Sequence, residues 1–450
     1  MTDEHFRYLP DTKEDIEEML DVIGLKSVDD LFSDIPESIR VNHELAIPAA
    51  MAEGELLRHM QKLAGKNTTS NDMPVFLGAG VYDHTIPSVV DAVISRSEFY
   101  TAYTPYQAEA SQGELQAIFE FQTMISELTG MEVSNSSLYD GFASLGEAVG
   151  LAQATTRKNQ ILISKGVHPE GRQVVETASP GRGTDVVEIP LDGDKTNLTA
   201  LAEALTEDTA AVVIQYPNFL GTIEDLRAVK ELLKGHKARF IVMANPLALG
   251  ILEAPGNLGA DIVVGDTQPF GLPMSYGGPH CGYFSVNKKD IRKVPGRMVG
   301  ETVDQEGKRG FVLTLQSREQ HIRREKATSY MSSNQALNAL ASAVCMAAFG
   351  KEGVQEMAQL NLNKAGYLSD ELEKIGLPTY NKGTFFNEFV VELPMSAKEA
   401  NQHLLEAGII GGYSLAQDYD LPNHLLLCAT EKRTKAEMDQ FVNVLGGLTK

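Results

Sequence analysis

"AAVVIQYPNFLGTIEDLRAVKELLKGHKARFIVMANP", residues 210–246, holds the repeating unit of the fold. Two apolar, β-branched runs, 210–217 and 239–246, flank "EDLRAVKELLKG" (224–235), which reads as a crossover helix. The runs do not alternate with polar residues. Strands of that kind belong to a mostly parallel sheet covered on both faces. Working outward, "QILIS" (160–164) and "DVVEIP" (185–190) precede the unit and "ADIVVGD" (260–266) follows it. "GELQAIFEFQTMISELTG" (113–130) is a strong amphipathic helix. The spacing predicts a large α/β domain over about 66–330.

Beyond it, "NQALNALASAVCMAAFG" (334–350) predicts a long helix of small residues ending at Gly350. Strand and helix then alternate in "NEFVVELP", "AKEANQHLLEAG", "HLLLCAT" and "KAEMDQFVNVLGG", which predicts a linking helix and a smaller α+β domain over 331–450. Residues 1–65 form a helical N-terminal arm. "DTKEDIEEMLDVIG" places Ile16, Met19, Leu20 and Ile23 at helical spacing, with Asp11 or Thr12 as caps, and "ELLRHMQKLAGKN" repeats the pattern and stops at a glycine. An arm this thin cannot bury its own apolar face, so it is expected to wrap a larger body.

The balance of 39 Lys+Arg against 61 Asp+Glu leaves a net charge of −22, the opposite of a nucleic-acid footprint. No apolar run approaches the ~20 residues of a membrane span, and the acidic opening is not a signal peptide. Cys281, Cys345 and Cys428 are too scattered for a zinc site or a disulfide framework. A reducing, cytoplasmic setting is expected, with no metal, nucleic acid or membrane.

Simple catalytic motifs fail. "GVHPEGRQ" has phosphate-loop glycines but Arg172 and Gln173 where Lys and Ser/Thr are needed. "GGPHCG" reads as a tight glycine turn. The layout as a whole says more: a large α/β domain followed by a small α+β one is that of many pyridoxal-phosphate enzymes. Such a site needs a lysine for the Schiff base and an acid beside the pyridine nitrogen. The strand "RFIVMANP" ends on Ala244 and Asn245, without an acid. About one strand later, where the lysine is due, stand Gln268, Pro269 and Phe270. Both electronic handles are missing together.

"FLGAGVYDHTIP" (76–87), "FYTAYTPYQAEASQGELQAIFEFQTMISELTGMEVSNSSLYDG" (99–141), "REQHIRREKATS" (318–329) and "LLLCATEKRTKAEMDQFV" (425–442) resemble the glycine dehydrogenase (decarboxylating) family, the P-protein of the glycine cleavage system. In many bacteria that enzyme is split into two homologous chains, and this one resembles the half without the cofactor lysine. The resemblance runs from Phe6 nearly to the C-terminus. Ala108, Ser136, Phe142 and Gly146 depart from the family's usual wording. It implies a transaminase-like fold (fold type I) and a heterotetramer with two copies of a lysine-bearing subunit. This chain would bind no pyridoxal phosphate covalently. The partner's pyridoxal phosphate would decarboxylate glycine, and the aminomethyl group would pass to the lipoyl arm of H-protein, with T-protein and L-protein completing the system. An independent pyridoxal-phosphate enzyme using another lysine, and a non-catalytic scaffolding homologue, stay open as alternatives.

With the resemblance, Tyr103, Tyr106 and Gln107 in "YTAYTPYQ" are expected to act in the partner's active site. The bland alternative is buried rings with satisfied hydroxyls. "REQHIRREKATS" offers Arg318, His321, Arg323, Arg324 and Lys326 to acidic H-protein or to the cofactor phosphate on the partner chain, or forms a salt-bridged helix face with Glu319 and Glu325. His168 reads as a capping or packing residue. "SNSSLYDG" (134–141) reads as an N-cap and turn, or as a relic phosphate cradle.

Overall fold

A computed structural model describes residues 8, 10–41, 43–316, 320–327 and 329–448. The chain divides into two units, Met1–Asn67 and Thr68–Lys450. In the first, the helix Lys13–Ile23 is capped by Thr12 in a reciprocal box with Asp15 and stopped by Gly24 in the left-handed conformation. The helix Glu53–Ala64 ends at Gly65.

The second unit is built on a seven-stranded sheet. Its strands are β1 (Val133–Ser134), β2 (Gln160–Ser164), β3 (Asp185–Ile189), β6 (Thr209–Tyr216), β7 (Arg239–Ala244), β8 (Ile262–Asp266) and β9 (Gly282–Val286). A short hairpin, β4 (Leu191–Asp192) and β5 (Lys195–Thr196), lies outside it. The order is β1-β9-β8-β7-β6-β2-β3. The strands from β8 to β3 pair in parallel, while β9 pairs antiparallel with both β8 and β1 at one edge.

The unbroken apolar character of these strands has a direct cause. In β6, Val212 and Ile214 enter one core with Phe121, Phe240 and Val242. Ala211 and Val213 enter the other with Leu145, Ile241 and Val264. Both faces are covered, so the stretch 210–214 carries no polar residue, and Gln215 enters only towards the strand's carboxyl end. The helix Gln112–Thr129 serves the first core and Gly141–Thr156 the second.

A hairpin of β10 (Met298–Val303) and β11 (Arg309–Thr314) packs on the helix Gln112–Thr129 through Leu115, Ile118, Val299 and Phe311. The Gln122 side-chain amide donates to the Val299 carbonyl and accepts from its N–H, and Gln112 treats Phe311 the same way. The helix Ala336–Lys374 is broken at Gly350, which has φ +64° and ψ −178°. The sequence places the end of a helix there correctly, but a second helix starts at once. The C-terminal sheet, β12-β14-β13, comprises β12 (Glu388–Glu392), β13 (Tyr413–Ser414) and β14 (His424–Cys428). The helices Ala397–Glu406 and Lys435–Leu448 close its core around Phe389, Leu427 and Phe441. Among the described residues no helix is long and apolar enough to cross a membrane.

Candidate active-site cavity

Open parallel sheets place ligands at the carboxyl ends of their strands. A cavity of about 370 Å³ lies there, against Met243, Ala244 and Asn245 after β7, Gly265 and Asp266 at the end of β8, and the start of the helix Gly141–Thr156. Phe142, His168 and Tyr82 complete much of its wall.

The helix start is an anion site by construction, because its first N–H groups have no partner within the helix. Here the chain satisfies them itself. The Ala143 N–H donates to Asp140 Oδ1 at 2.7 Å, and the Gly141 N–H donates to Asp266 Oδ2 at 3.1 Å. Burial pushes the Asp266 carboxyl up to about 7. The N-cap reading of the serine-rich turn is the one the geometry bears out, with Asp140 as the cap.

Gln268 is buried and faces away from the cavity. Its side-chain oxygen accepts from the Tyr82 N–H at 3.0 Å, and its Nε2 donates to the carbonyls of Tyr82 and Leu272 at 2.8 and 3.0 Å. It acts as a latch that fixes the segment 79–82 forming one wall. Glu388, at the head of β12, adds two bonds to the same segment. It accepts from the Ala79 N–H at 2.6 Å and from the Tyr82 hydroxyl at 2.8 Å.

Burial lifts Glu388 from its ordinary 4.5 to about 7. Between those values the folded chain holds a proton that the unfolded chain has released, so stability falls as pH rises through that window. Below it both states are protonated, and above it the loss is complete. Glu388→Gln cannot ionise. Its melting midpoint relative to the parent chain is therefore expected to climb between pH about 4.5 and about 7 and then level off. A difference constant over that range would contradict the burial argument.

His168 is neutral and structural. Its Nδ1 accepts from the Glu170 N–H at 3.2 Å, which puts the proton on Nε2, donated to the Ala79 carbonyl at 3.0 Å. Its ring lies between Phe142 and Phe219, with centroids 4.6 and 4.7 Å away, and burial lowers its pKa. The capping and packing reading holds.

Pyridoxal phosphate does not fit this cavity's donor set. Among the described residues no lysine or arginine lines it, Pro269 and the strand end Ala244–Asn245 offer neither amine nor acid, and two carboxylates hold the amides that would cradle a phosphate. Among the described residues no cluster of metal-ligating side chains occurs.

Tyr103, Tyr106 and Gln107 do not line the cavity. All three are exposed, on the loop between the short helix Ser97–Tyr100 and a turn at Ala108–Ala110. Tyr106 is anchored: the buried Arg297 donates to its hydroxyl from Nη2 at 3.0 Å. Of the basic stretch, Arg318, Glu319 and Thr328 lie outside the described residues. Gln320–Arg323 forms a short exposed helix and Arg324–Lys326 a turn. Sequence reasoning missed Asp140, Asp266, Glu388 and Arg297. The available signal was position, since Asp266 ends one strand and Glu388 opens another.

A family model described as "Glycine cleavage system P-protein" matches residues 6–445. A curated relative from Geobacillus sp. (strain WCH70), named "Probable glycine dehydrogenase (decarboxylating) subunit 1", is 59% identical over 441 residues, which cover 98% of each chain. A solved structure of glycine decarboxylase (P-protein) of the glycine cleavage system in inhibitor-bound form superposes with a TM-score of 0.91. It is 42% identical, with coverage of 98% of this chain and 100% of that one. Lactobacillus brevis glutamate decarboxylase shares the fold, with a TM-score of 0.68 at 13% identity over 91% of this chain and 95% of its own.

Proposed function

This chain belongs to the glycine cleavage system P-protein family, and we propose that within the heteromeric glycine dehydrogenase (decarboxylating) it is the half that carries no covalent pyridoxal phosphate. The observation that carries the reading is the self-capped helix start. Asp140 and Asp266 hold the amides that a cofactor phosphate would need, and a buried glutamine latch stands beside Pro269 where the lysine is due. The cofactor then belongs to a homologous, lysine-bearing partner chain, two copies of each being expected, with lipoylated H-protein as the acceptor. Exposed apolar side chains on the first unit, among them Ile39, Ile47 and Leu57, support a partner that covers them.

In this reading the chain's contribution is positional. The loop 101–107 presents two phenol hydroxyls and an amide outward, and Arg297 steadies the end of it. Neutral donors of this kind orient a carboxylate without the ground-state stabilisation a lysine or arginine would give it. The direct test is glycine–CO2 exchange in the presence of H-protein, run on this chain, on the lysine-bearing chain and on their mixture. Exchange is expected from the mixture and not from this chain alone. Full exchange by the partner without this chain would reduce it to a scaffold.

A further inference from the structure

The cavity has a charge of its own. Asp140, Glu170 and Asp266 line it, and among the described residues no lysine or arginine does. Asp266 is pinned by the N–H groups of Gln268, at 2.8 Å to Oδ1, and of Gly141, at 3.1 Å to Oδ2. Asp140 spends Oδ1 on its cap and, among the described residues, makes no hydrogen bond through Oδ2. His280 is 8% exposed and, among the described residues, hydrogen-bonds through neither ring nitrogen. Its Nε2 is orphaned, and its Nδ1 stands 3.8 Å from Asp266 Oδ2. That separation is too long for a direct bond but seats one N–H donor about 2.8 Å from both atoms. A buried polar group without a partner calls for one. Phe142, Met243, Pro246 and Pro269 supply apolar wall around these groups, and the volume lies within the ~300–1,000 Å³ usual for small-molecule sites.

We propose that this cavity binds a small organic cation, an amidinium or primary ammonium group on an apolar body, through Asp266, Asp140 and His280. Ligands bearing a carboxylate, glycine among them, are excluded by the same walls, which offer no cation to pair with it. The inference rests on the reading that pyridoxal phosphate is not held here.

Three probes of one planar shape separate charge from fit: benzamidine, benzamide and benzoate. Their binding is measured by calorimetry on the complex of this chain with its partner, with the cofactor's absorbance followed throughout. Benzamidine is expected to bind, benzamide and benzoate not, and the absorbance to stay constant. Asp140→Asn keeps an oxygen for the Ala143 N–H. It is expected to weaken benzamidine about tenfold or more, as is Asp266→Asn, with assembly intact. Equal binding of benzamide or benzoate, no benzamidine binding at millimolar concentration, or unchanged affinity in both variants overturns the proposal. A pyridoxyl-lysine found in this chain instead fails the parent reading, and the proposal with it.

Discussion

Tyr106→Phe is expected to slow glycine–CO2 exchange by the assembled enzyme about 10²-fold, the usual cost of removing one well-placed donor from a water-excluded site. Tyr103→Phe is expected to act in the same direction. The reasoning starts from exposure. Tyr103 is 80% and Tyr106 58% exposed in this chain, so neither ring is used to build its core. Tyr103 makes no hydrogen bond among the described residues, whereas Tyr106 accepts one from Arg297. A preorganised loop of this kind, carrying Pro105 and leading into a helix, suits a neighbouring site better than bulk packing. Loss of CO2 is easier when the carboxylate is oriented and poorly hydrated, and the phenols and Gln107 can supply both conditions across the subunit boundary. Because Tyr106→Phe keeps the ring that lies against Arg297, the melting midpoint and the yield of complex are expected to stay near those of the parent chain. The opposite pattern, lowered stability or yield with normal turnover per complex, would assign these hydroxyls a structural role.

The sheet was legible because its central strands are buried on both faces. Continuous apolar, β-branched runs separated by helices satisfy that constraint, and Val212, Val213 and Ile214 display it within three residues. The helix break at Gly350 was legible for a related reason, since a left-handed residue there demands glycine. The hairpin β10–β11 was not. "MVGETV" and "RGFVLT" are half-exposed, and what fixes them is a pair of glutamines nearly two hundred positions away in sequence.

The site divides along the same line. In the proposed reading, a missing lysine and a missing acid are statements about single positions, which the sequence can suggest by itself. What replaced them is not local. Gln268 makes its bonds with Tyr82 and Leu272, Asp266 with Gly141, and Glu388 with Ala79 and Tyr82. Only the fold brings these partners together, and only their geometry distinguishes a vacant cofactor cradle from one that the chain has filled with its own carboxylates.

That distinction yields the second large effect, an all-or-none one. Borohydride reduction fixes a pyridoxal Schiff base to its lysine, and peptide mapping then locates it. Applied to the assembled enzyme, the method asks each chain directly whether it carries the cofactor. In the proposed reading, a cavity with two carboxylates at its helix start, no lysine or arginine among the described residues of its lining and Gln268 turned away from it suits neither the aldehyde nor the phosphate. The expected result is a pyridoxyl-lysine on the partner chain and none on any peptide of this one. A stoichiometric pyridoxyl-lysine within residues 68–450 of this chain would contradict the account.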